Sequence, residues 1–231
     1  MQDLHPNDGK NLIIDIDGVS YARYPIPTHV VTDRDAMEAI VDQYVRPWLQ
    51  QGDMLFISER ICAISQGRAY PISEIHPSRF AKFLVNYVYK TPSGIGIGSP
   101  WTMELAIREA GIWRILLAAA CSALTKPFGV RGVFYRVVGN NINAIDGPCE
   151  NTLPPYNGYA KLGPKNPDRL AAQLAQHLGI PVVIIDANDL GVNILGRSPD
   201  APDDAFARAA FRDNPLGQSR QQTPMAIVRR A

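Results

Sequence analysis

Met37, Ile40, Val41, Tyr44, Val45 and Trp48 recur at intervals of three and four residues, which predicts an amphipathic helix over 33–50 with Thr32 as its N-cap. Pro47 belongs to the last turn of that helix and Gly52 ends it, so the apolar run MLFIS, 54–58, reads as a buried strand. A second helix over 78–89 would bury Phe80, Phe83, Leu84, Tyr87 and Val88. In TPSGIGIGSPW, Ser99 is suited to cap a third helix, with Pro100 at its first position and Gly111 at its end. RILLAAACSALTK is ambiguous by period, but its length and alanine content favour a buried helix. VRGVFYRVV, 130–138, alternates as a strand does.

From 139 to 166 the chain turns to Gly, Pro, Asn and Asp, predicting a long irregular loop of the kind that carries function. Asn166 and Pro167 open a helix that runs to Leu178 and is closed by Gly179, and PVVIID comes next as a buried strand. An Ala-rich helix near 203–211 and a strand over 224–229 complete the pattern. Helices interspersed with strands imply an α/β fold, with α+β the alternative. Without a repeat or a low-complexity linker, 1–231 reads as a single domain with a sub-domain crossing near 94–100.

Composition narrows the partners. The 231 residues carry 23 Lys+Arg against 22 Asp+Glu, with both signs scattered, so no nucleic acid and no anionic membrane surface is expected. The longest apolar stretch, 115–121, is far too short to span a bilayer, and MQDLHPNDGK lacks a secretory core, so a cytoplasmic location is expected. Cys62, Cys121 and Cys149 form no CxxC pair and read as reduced thiols, two of them in the core.

Several clusters could carry chemistry. Asp186 and Asp189 lie where the PVVIID strand empties into DANDLG, a position that can present hard oxygen ligands to Mg²⁺ or Mn²⁺ or simply satisfy a turn. Asp146 and Glu150 form a second acidic pair in NNINAIDGPCEN, where Asp146 before Gly is equally a turn residue. GIGIGSPW could receive a phosphate but matches no phosphate-loop spacing and reads better as a tight turn. The four His, at 5, 29, 76 and 177, form no zinc motif. LIIDIDGVSY is similar to the nucleophile loop of haloacid-dehalogenase phosphohydrolases, in which Asp15 would attack phosphorus and Asp17 would act as acid and base.

Taken in order, YPIPTHVVTDRDAM, QGDMLFISERICAISQGR, NAIDG, LGPKNPDRLA, VVIIDANDLG and LGQSRQQTPMAIVRR resemble the coenzyme F-420:L-glutamate ligase family, the gamma-glutamyl ligases. The match runs from about residue 24 to the C-terminus and fades between 91 and 139. The resemblance implies a gamma-glutamyl ligase-like fold of mixed sheets with flanking helices, in an intertwined homodimer. It also implies a GTP-dependent reaction, with ATP the alternative nucleotide, that joins L-glutamate to a lactyl-phospho deazaflavin. Divalent metal, Mg²⁺ or Mn²⁺, would be held by Asp146, Asp186 and Asp189, of which Asp146 and Asp186 are the implied catalytic residues. Pro27, Thr28, Glu59, Arg60 and Gln218 would contact the nucleotide.

The chain also departs from the family. A strand motif resembling SKxxSKxEGR reads ERICAISQGR here, so Arg60 replaces the first lysine and Ile64 the second. Cys149 stands where the family has Asn. A metal-dependent amide ligase of altered substrate is therefore expected, a non-catalytic nucleotide-binding relative is the second reading, and the Asp15 phosphohydrolase is the third. The many apolar residues of 101–138 add to the expectation of a homodimer.

Overall fold

The computed structural model describes residues 4–88, 96–130, 132–139, 141–150, 152–188, 191–217 and 221–231. In chain order the elements are β1 (Ile13–Ile16), β2 (Val19–Ile26), α1 (Met37–Tyr44), β3 (Met54–Ser58), α2 (Glu59–Ser65), β4 (Ala69–Pro71), α3 (Arg79–Leu84), α4 (Pro100–Ala110), α5 (Ile112–Thr125), α6 (Val133–Val138), β5 (Tyr159–Lys161), α7 (Pro167–Leu178), β6 (Val182–Asn188), β7 (Gly191–Arg197), α8 (Asp204–Ala210) and β8 (Met225–Arg230). They divide into two units, one of residues 1–67 and 164–231 and the other of residues 68–163. The stretch 94–100, where the sequence suggests a crossing, falls within the second unit, and its residues 94 and 95 lie outside the described residues.

The first unit is built on a mixed six-stranded sheet in the order β1-β2-β8-β3-β6-β7. Asp17 and Gly18, at φ 49° and 80°, make the two-residue turn that folds β1 onto β2, a geometry for which an Asp-Gly pair is well suited. β3 and β6 are parallel, and their residues Leu55, Phe56, Ile57 and 182–185 are fully buried, as expected of strands covered on both faces. On one face Phe56 stacks on Phe211 at 4.5 Å, within a core that includes Val183, Ile185, Ala226, Val228 and Ala207 of α8. α7 packs on β6 and β7 and touches α1.

Local chemistry explains the element boundaries. Thr32 does not cap α1: its backbone N–H and hydroxyl both donate to the Asp35 carboxylate, at 2.7 and 2.8 Å, in a turn that precedes the helix, and Ala36 takes the cap position. Pro47 sits in a separate 3₁₀ turn, Arg46–Trp48, since its ring cannot continue the α-helix. α7 begins at Pro167 after Asn166 and ends at Gly179 in the left-handed conformation, as its caps predict. β7, which the hydrophobic pattern does not reveal, pairs antiparallel with β6 across a bulge at Ile184/Ile185.

Two ion pairs fasten this unit. Arg229 of β8 forks onto Asp53 at 2.7 and 2.8 Å, donates to the Trp48 carbonyl, and lies over the Tyr24 ring. Arg23, 1% exposed, pairs with Asp213 and donates to the carbonyls of Ala210 and Asn11.

The second unit is largely helical. Ser99 and Thr102 form a capping box at the start of α4, and Glu104 accepts the Ser78 N–H at 2.9 Å, which links α4 to the cap of α3. Met103, Leu105 and Ala106 of α4 share a core with Ile115 and Ala118 of α5, Val138 of α6, and Ile142, Ile145, Ala160 and Leu162. The helix expected over 78–89 is shorter, ending at Leu84 and passing into a 3₁₀ turn.

The strand expected over 130–138 is a correction: residues 133–138 form helix α6, and residue 131 lies outside the described residues. Gly132, at φ 73°, resets the backbone, after which Val133/Val137 and Phe134/Val138 fall at i, i+4 spacing, a pattern that short apolar runs share with alternation. The loop of 139–166 also carries structure, since β5 pairs with β4 and Asp146 bridges Lys161. Of the three free thiols, Cys62 is buried, Cys121 is half-buried and Cys149 is exposed, so one rather than two lies in the core.

Two outcomes test this account. A Cβ placed on Gly196 of β7 would lie 2.4 Å from the Pro167 carbonyl carbon and 2.5 Å from the Asp168 nitrogen, both backbone. Gly196→Ala should therefore cost about 2 kcal/mol in urea unfolding, whereas Gly158→Ala, with open space around it, should not. Burial opposes ionisation of Asp213, but the Arg23 hydrogen bond and charge outweigh it and hold the carboxyl below its ordinary 3.8. A depressed folded-state pKa means that the stabilisation is complete above the unfolded-state value and is lost as pH falls through the folded-state one. Asp213→Asn should then lose about 1 kcal/mol at pH 7, a modest figure because a third of the side chain is exposed to screening, and should flatten the acid limb of stability below about pH 4.

Candidate functional site

β2, β3 and β6 run in the same direction, because β8 is antiparallel to both β2 and β3 while β3 and β6 are parallel. Ile26 and Ile57 both face Met225 in register, and Ser58 faces Ile185, so β2 and β3 end within one residue of a common level, which β6 passes by three residues to reach Asn188. The chain leaves this edge at 27–28 and 59–60 and passes it within β6 at 186–188, so that Pro27, Thr28, Glu59, Arg60 and Asp186 lie along it. Ligands in open α/β sheets bind beyond the carboxyl ends of strands, where backbone groups are no longer used by the ladder.

Each position has a local cause. Pro27 is exposed and Thr28 is buried, and the Thr28 N–H donates to the Gln222 carbonyl at 3.0 Å while its hydroxyl donates to the His29 carbonyl at 2.8 Å. The Ser58 N–H donates to the Pro224 carbonyl at 2.8 Å, and the Ser58 hydroxyl accepts the Arg60 N–H at 3.4 Å as N-cap of α2. The motif expected to continue as a strand through Arg60 and Ile64 is therefore a helix. Residues 60 and 64 still share a face, now because they are one turn apart. Glu59 is buried at the first position of α2, Arg60 is half-buried, and Ile64 is buried. Burial pushes the Cys62 thiol up, and the charge of Glu59 pushes it further, so this cysteine is an inert core residue.

Asp186 is half-buried in β6, opposite Asn193. Asp189 and Gln218 lie outside the described residues. Asp146 belongs to the second unit, where its N–H donates to the Lys161 carbonyl at 3.1 Å and its own carboxylate accepts the Gly147 N–H at 3.0 Å. The hard oxygen donors of these aspartates suit Mg²⁺ or Mn²⁺. Among the described residues, however, no three His, Cys, Asp or Glu side chains gather as a metal site.

Two groups escape sequence reading. The His29 ring lies between the Tyr44 hydroxyl, at 2.8 Å from Nδ1, and the Asp35 carboxylate, at 3.3 Å from Nε2, immediately after Thr28. The Asp35 carboxyl is held below its usual range, first by the Thr32 N–H and then by the Thr32 hydroxyl. HVVTDRD shows His and Asp, but the tyrosine comes from α1 and no local spacing announces it. In the second unit Lys161 is buried and its ammonium donates to the Ala144 carbonyl at 2.9 Å. A lysine at the end of a three-residue strand carries no motif.

The phosphohydrolase reading of LIIDIDG is corrected. Asp15 lies exposed on β1, an edge strand, and accepts a hydrogen bond from Ser20, while Asp17 occupies the hairpin turn. Neither carboxylate stands at the carboxyl end of a central parallel strand. In GIGIGSPW, Ser99 and Pro100 start α4, with Gly94 and Ile95 outside the described residues.

The coenzyme F420:L-glutamate ligase of Methanopyrus kandleri is 29% identical over 148 residues, which cover 62% of this chain and 50% of that protein. The chain thus spans about half the length of this curated relative. The family model described as F420-0:Gamma-glutamyl ligase matches residues 25–192, a span that takes in β3, α2, Asp146 and Asp186. By that match the chain belongs to the F420-0:gamma-glutamyl ligase family.

Proposed function

We propose that this protein is an amide ligase that joins L-glutamate, or an amino acid like it, to a carboxylate acceptor at the expense of GTP or ATP. The observation that carries the reading is the register in which β2 and β3 end level with Ile185 of β6, which brings Thr28, Glu59, Arg60 and Asp186 to one sheet edge. Family membership supports the reaction class, and the resemblance implies a lactyl-phospho deazaflavin as the first acceptor to try. In this chemistry an acceptor carboxylate oxygen attacks the terminal phosphorus of the nucleotide and the diphosphate leaves. The amine of glutamate then attacks the acyl carbon, loses a proton and expels phosphate, leaving the amide.

The protein's part is positioning and electrostatics. Arg60 supplies a guanidinium for the phosphate oxygens, one helical turn from the buried Ile64 that replaces the family lysine. Asp186 and Asp189, and separately Asp146 of the second unit, would hold Mg²⁺ or Mn²⁺, which neutralises charge on the transferred phosphoryl group. Because the burial of Ile64 favours the non-catalytic alternative, binding and turnover are measured apart.

With Mn²⁺, GTP, glutamate and the acceptor, phosphate release should require both co-substrates and fall roughly 100-fold or more in Asp186→Asn and in Asp146→Asn. Phosphate release that ignores glutamate would overturn the ligase reading, and nucleotide binding without turnover would establish the non-catalytic relative. Arg60→Ala should raise the nucleotide KM about tenfold or more, and an unchanged KM would remove Arg60 from the site.

Metal binding has its own readout. Mn²⁺ at 100 times its Kd should stabilise the folded protein by about 2.7 kcal/mol in a thermal melt. The shift should vanish in Asp186→Asn, and a shift that persists in both Asp186→Asn and Asp146→Asn would remove these ligands.

A further inference from the structure

The segment 222–224, which leads into β8, holds two strand exits at once. The Gln222 carbonyl accepts the Thr28 N–H at 3.0 Å and the Pro224 carbonyl accepts the Ser58 N–H at 2.8 Å, so β2 and β3 leave the sheet tied to the same short segment. Ser58 is also the N-cap of α2 and so fixes where Arg60 stands. Between the two carbonyls lies Thr223, whose hydroxyl donates to the Leu216 carbonyl at 2.9 Å and accepts a hydrogen bond from the Asn7 amide at 2.8 Å.

Asn7 reaches this loop from 216 positions earlier in the chain. The other hydrogen of its amide goes to the Pro215 carbonyl, again at 2.8 Å. A carbonyl oxygen only accepts, so the amide nitrogen of Asn7, not its oxygen, faces the loop. Asp8 and Gly9 then turn the chain, with Gly9 at φ 73° and the Lys10 N–H returned to the Asn7 carbonyl at 2.9 Å. The turn brings the Lys10 ammonium within 2.6 Å of the Asp213 carbonyl, and the Asn11 carbonyl accepts from Arg23, which itself pairs with Asp213. Residues 7–11 form no helix or strand, and Asn7 and Lys10 are half-buried. Their polar side chains are committed to one loop, 213–223, at both of its ends.

We infer that residues 7–11 brace the nucleotide edge, with Asn7 and Lys10 as positioning residues that act through Thr223 and Asp213 on the carbonyls holding Thr28 and Ser58. The inference rests on the ligase reading for its ligand, GTP or ATP. A loop already held in its binding geometry does not have to be ordered when the ligand arrives, so the brace acts on nucleotide affinity. It contributes no group to the chemical step, which is therefore spared when it is loosened. The brace and the loop it holds both lie outside residues 25–192, the span of the family match, so family membership does not supply this role.

Calorimetric titration of the intact chain with GTP and Mn²⁺ should give a Kd about fivefold or more higher in Asn7→Ala and in Lys10→Ala, while kcat in the full assay stays within about twofold. Asn7→Asp keeps the shape of the side chain but cannot donate, so it should weaken GTP binding as Asn7→Ala does. Lys10→Arg keeps a donor and should restore the affinity of the unmodified chain. Hydrogen exchange without nucleotide supplies a second readout: protection of the Thr28 and Ser58 amides should fall in the alanine variants while that of the central β8 amides persists. If the Asn7 variants fail to fold, the Lys10 pair carries the same comparison. Unchanged protection of both amides would overturn the brace, and lost protection with an unchanged Kd would overturn its role at the site. So would an Asn7→Asp variant that binds GTP normally, or a rise in Kd that Lys10→Arg does not reverse. An unmodified chain that binds neither GTP nor ATP would instead sink the ligase reading, and the exchange readout, which uses no nucleotide, tells the two failures apart.

Discussion

The first unit depends on one insertion: β8, the last strand of the chain, lies between β2 and β3 and is hydrogen-bonded to both. Its residues Met225, Ala226, Ile227 and Val228 are fully buried. The β1-β2 hairpin joins the rest of the sheet through β8, so both halves are in register only when the C-terminal strand has entered. Met225 faces Ile26 on one side and Ile57 on the other, which levels the ends of β2 and β3 and thereby brings Thr28 and Arg60 to the same edge. Arg229 then locks the strand through Asp53, a carboxylate with no solvent exposure that would be left uncompensated if the guanidinium were lost. These pairings are long in sequence, a topology that folds slowly because loop closure precedes the contacts that repay it.

The elements legible in the sequence are those whose signals are local and mutually consistent. β3 and β6 are unbroken apolar runs bounded by turn residues, and α4 and α7 have a cap, a proline at the first position and a closing glycine. Legibility fails where two periods fit the same residues. In 130–138 alternation and i, i+4 spacing coincide over too few positions to separate, and the left-handed Gly132 decides for a helix. At Arg60 the family likeness suggests a strand, but Ser58 offers its hydroxyl to the Arg60 N–H and starts a helix there. Thr32 is not a cap because the Asp35 carboxylate, three residues on, binds its N–H and hydroxyl in a turn of its own, and α1 starts only after Ala36.

The candidate site divides in the same way. Asp186 is readable because a buried strand must end in polar residues, and the strand's end is where the chain meets solvent and ligands. His29 with Tyr44, and Lys161 beside Asp146, depend on pairings between segments that only the fold brings together. The departures at Arg60 and Ile64 are legible as substitutions, but their meaning is not. On a strand they would have been two alternations apart, whereas on α2 they lie one turn apart, with Ile64 buried and Arg60 half-exposed at the helix start. A cation that has moved one turn toward the strand end remains at the edge to which the other candidate residues are brought.

The two units satisfy their hydrophobic surfaces differently. In the first, α8 lies against β1 and β7 while α7 packs on β6 and β7, and the central strands are covered on both faces. In the second, α4, α5 and α6 pack around Met103, Leu105 and Ile115, but the far side of α5 exposes large apolar groups that none of the unit's described residues covers. Hydrophobic burial is proportional to area removed from water, so leaving two aromatics and two leucines in solvent forgoes several kcal/mol that polar residues there would not have put at stake.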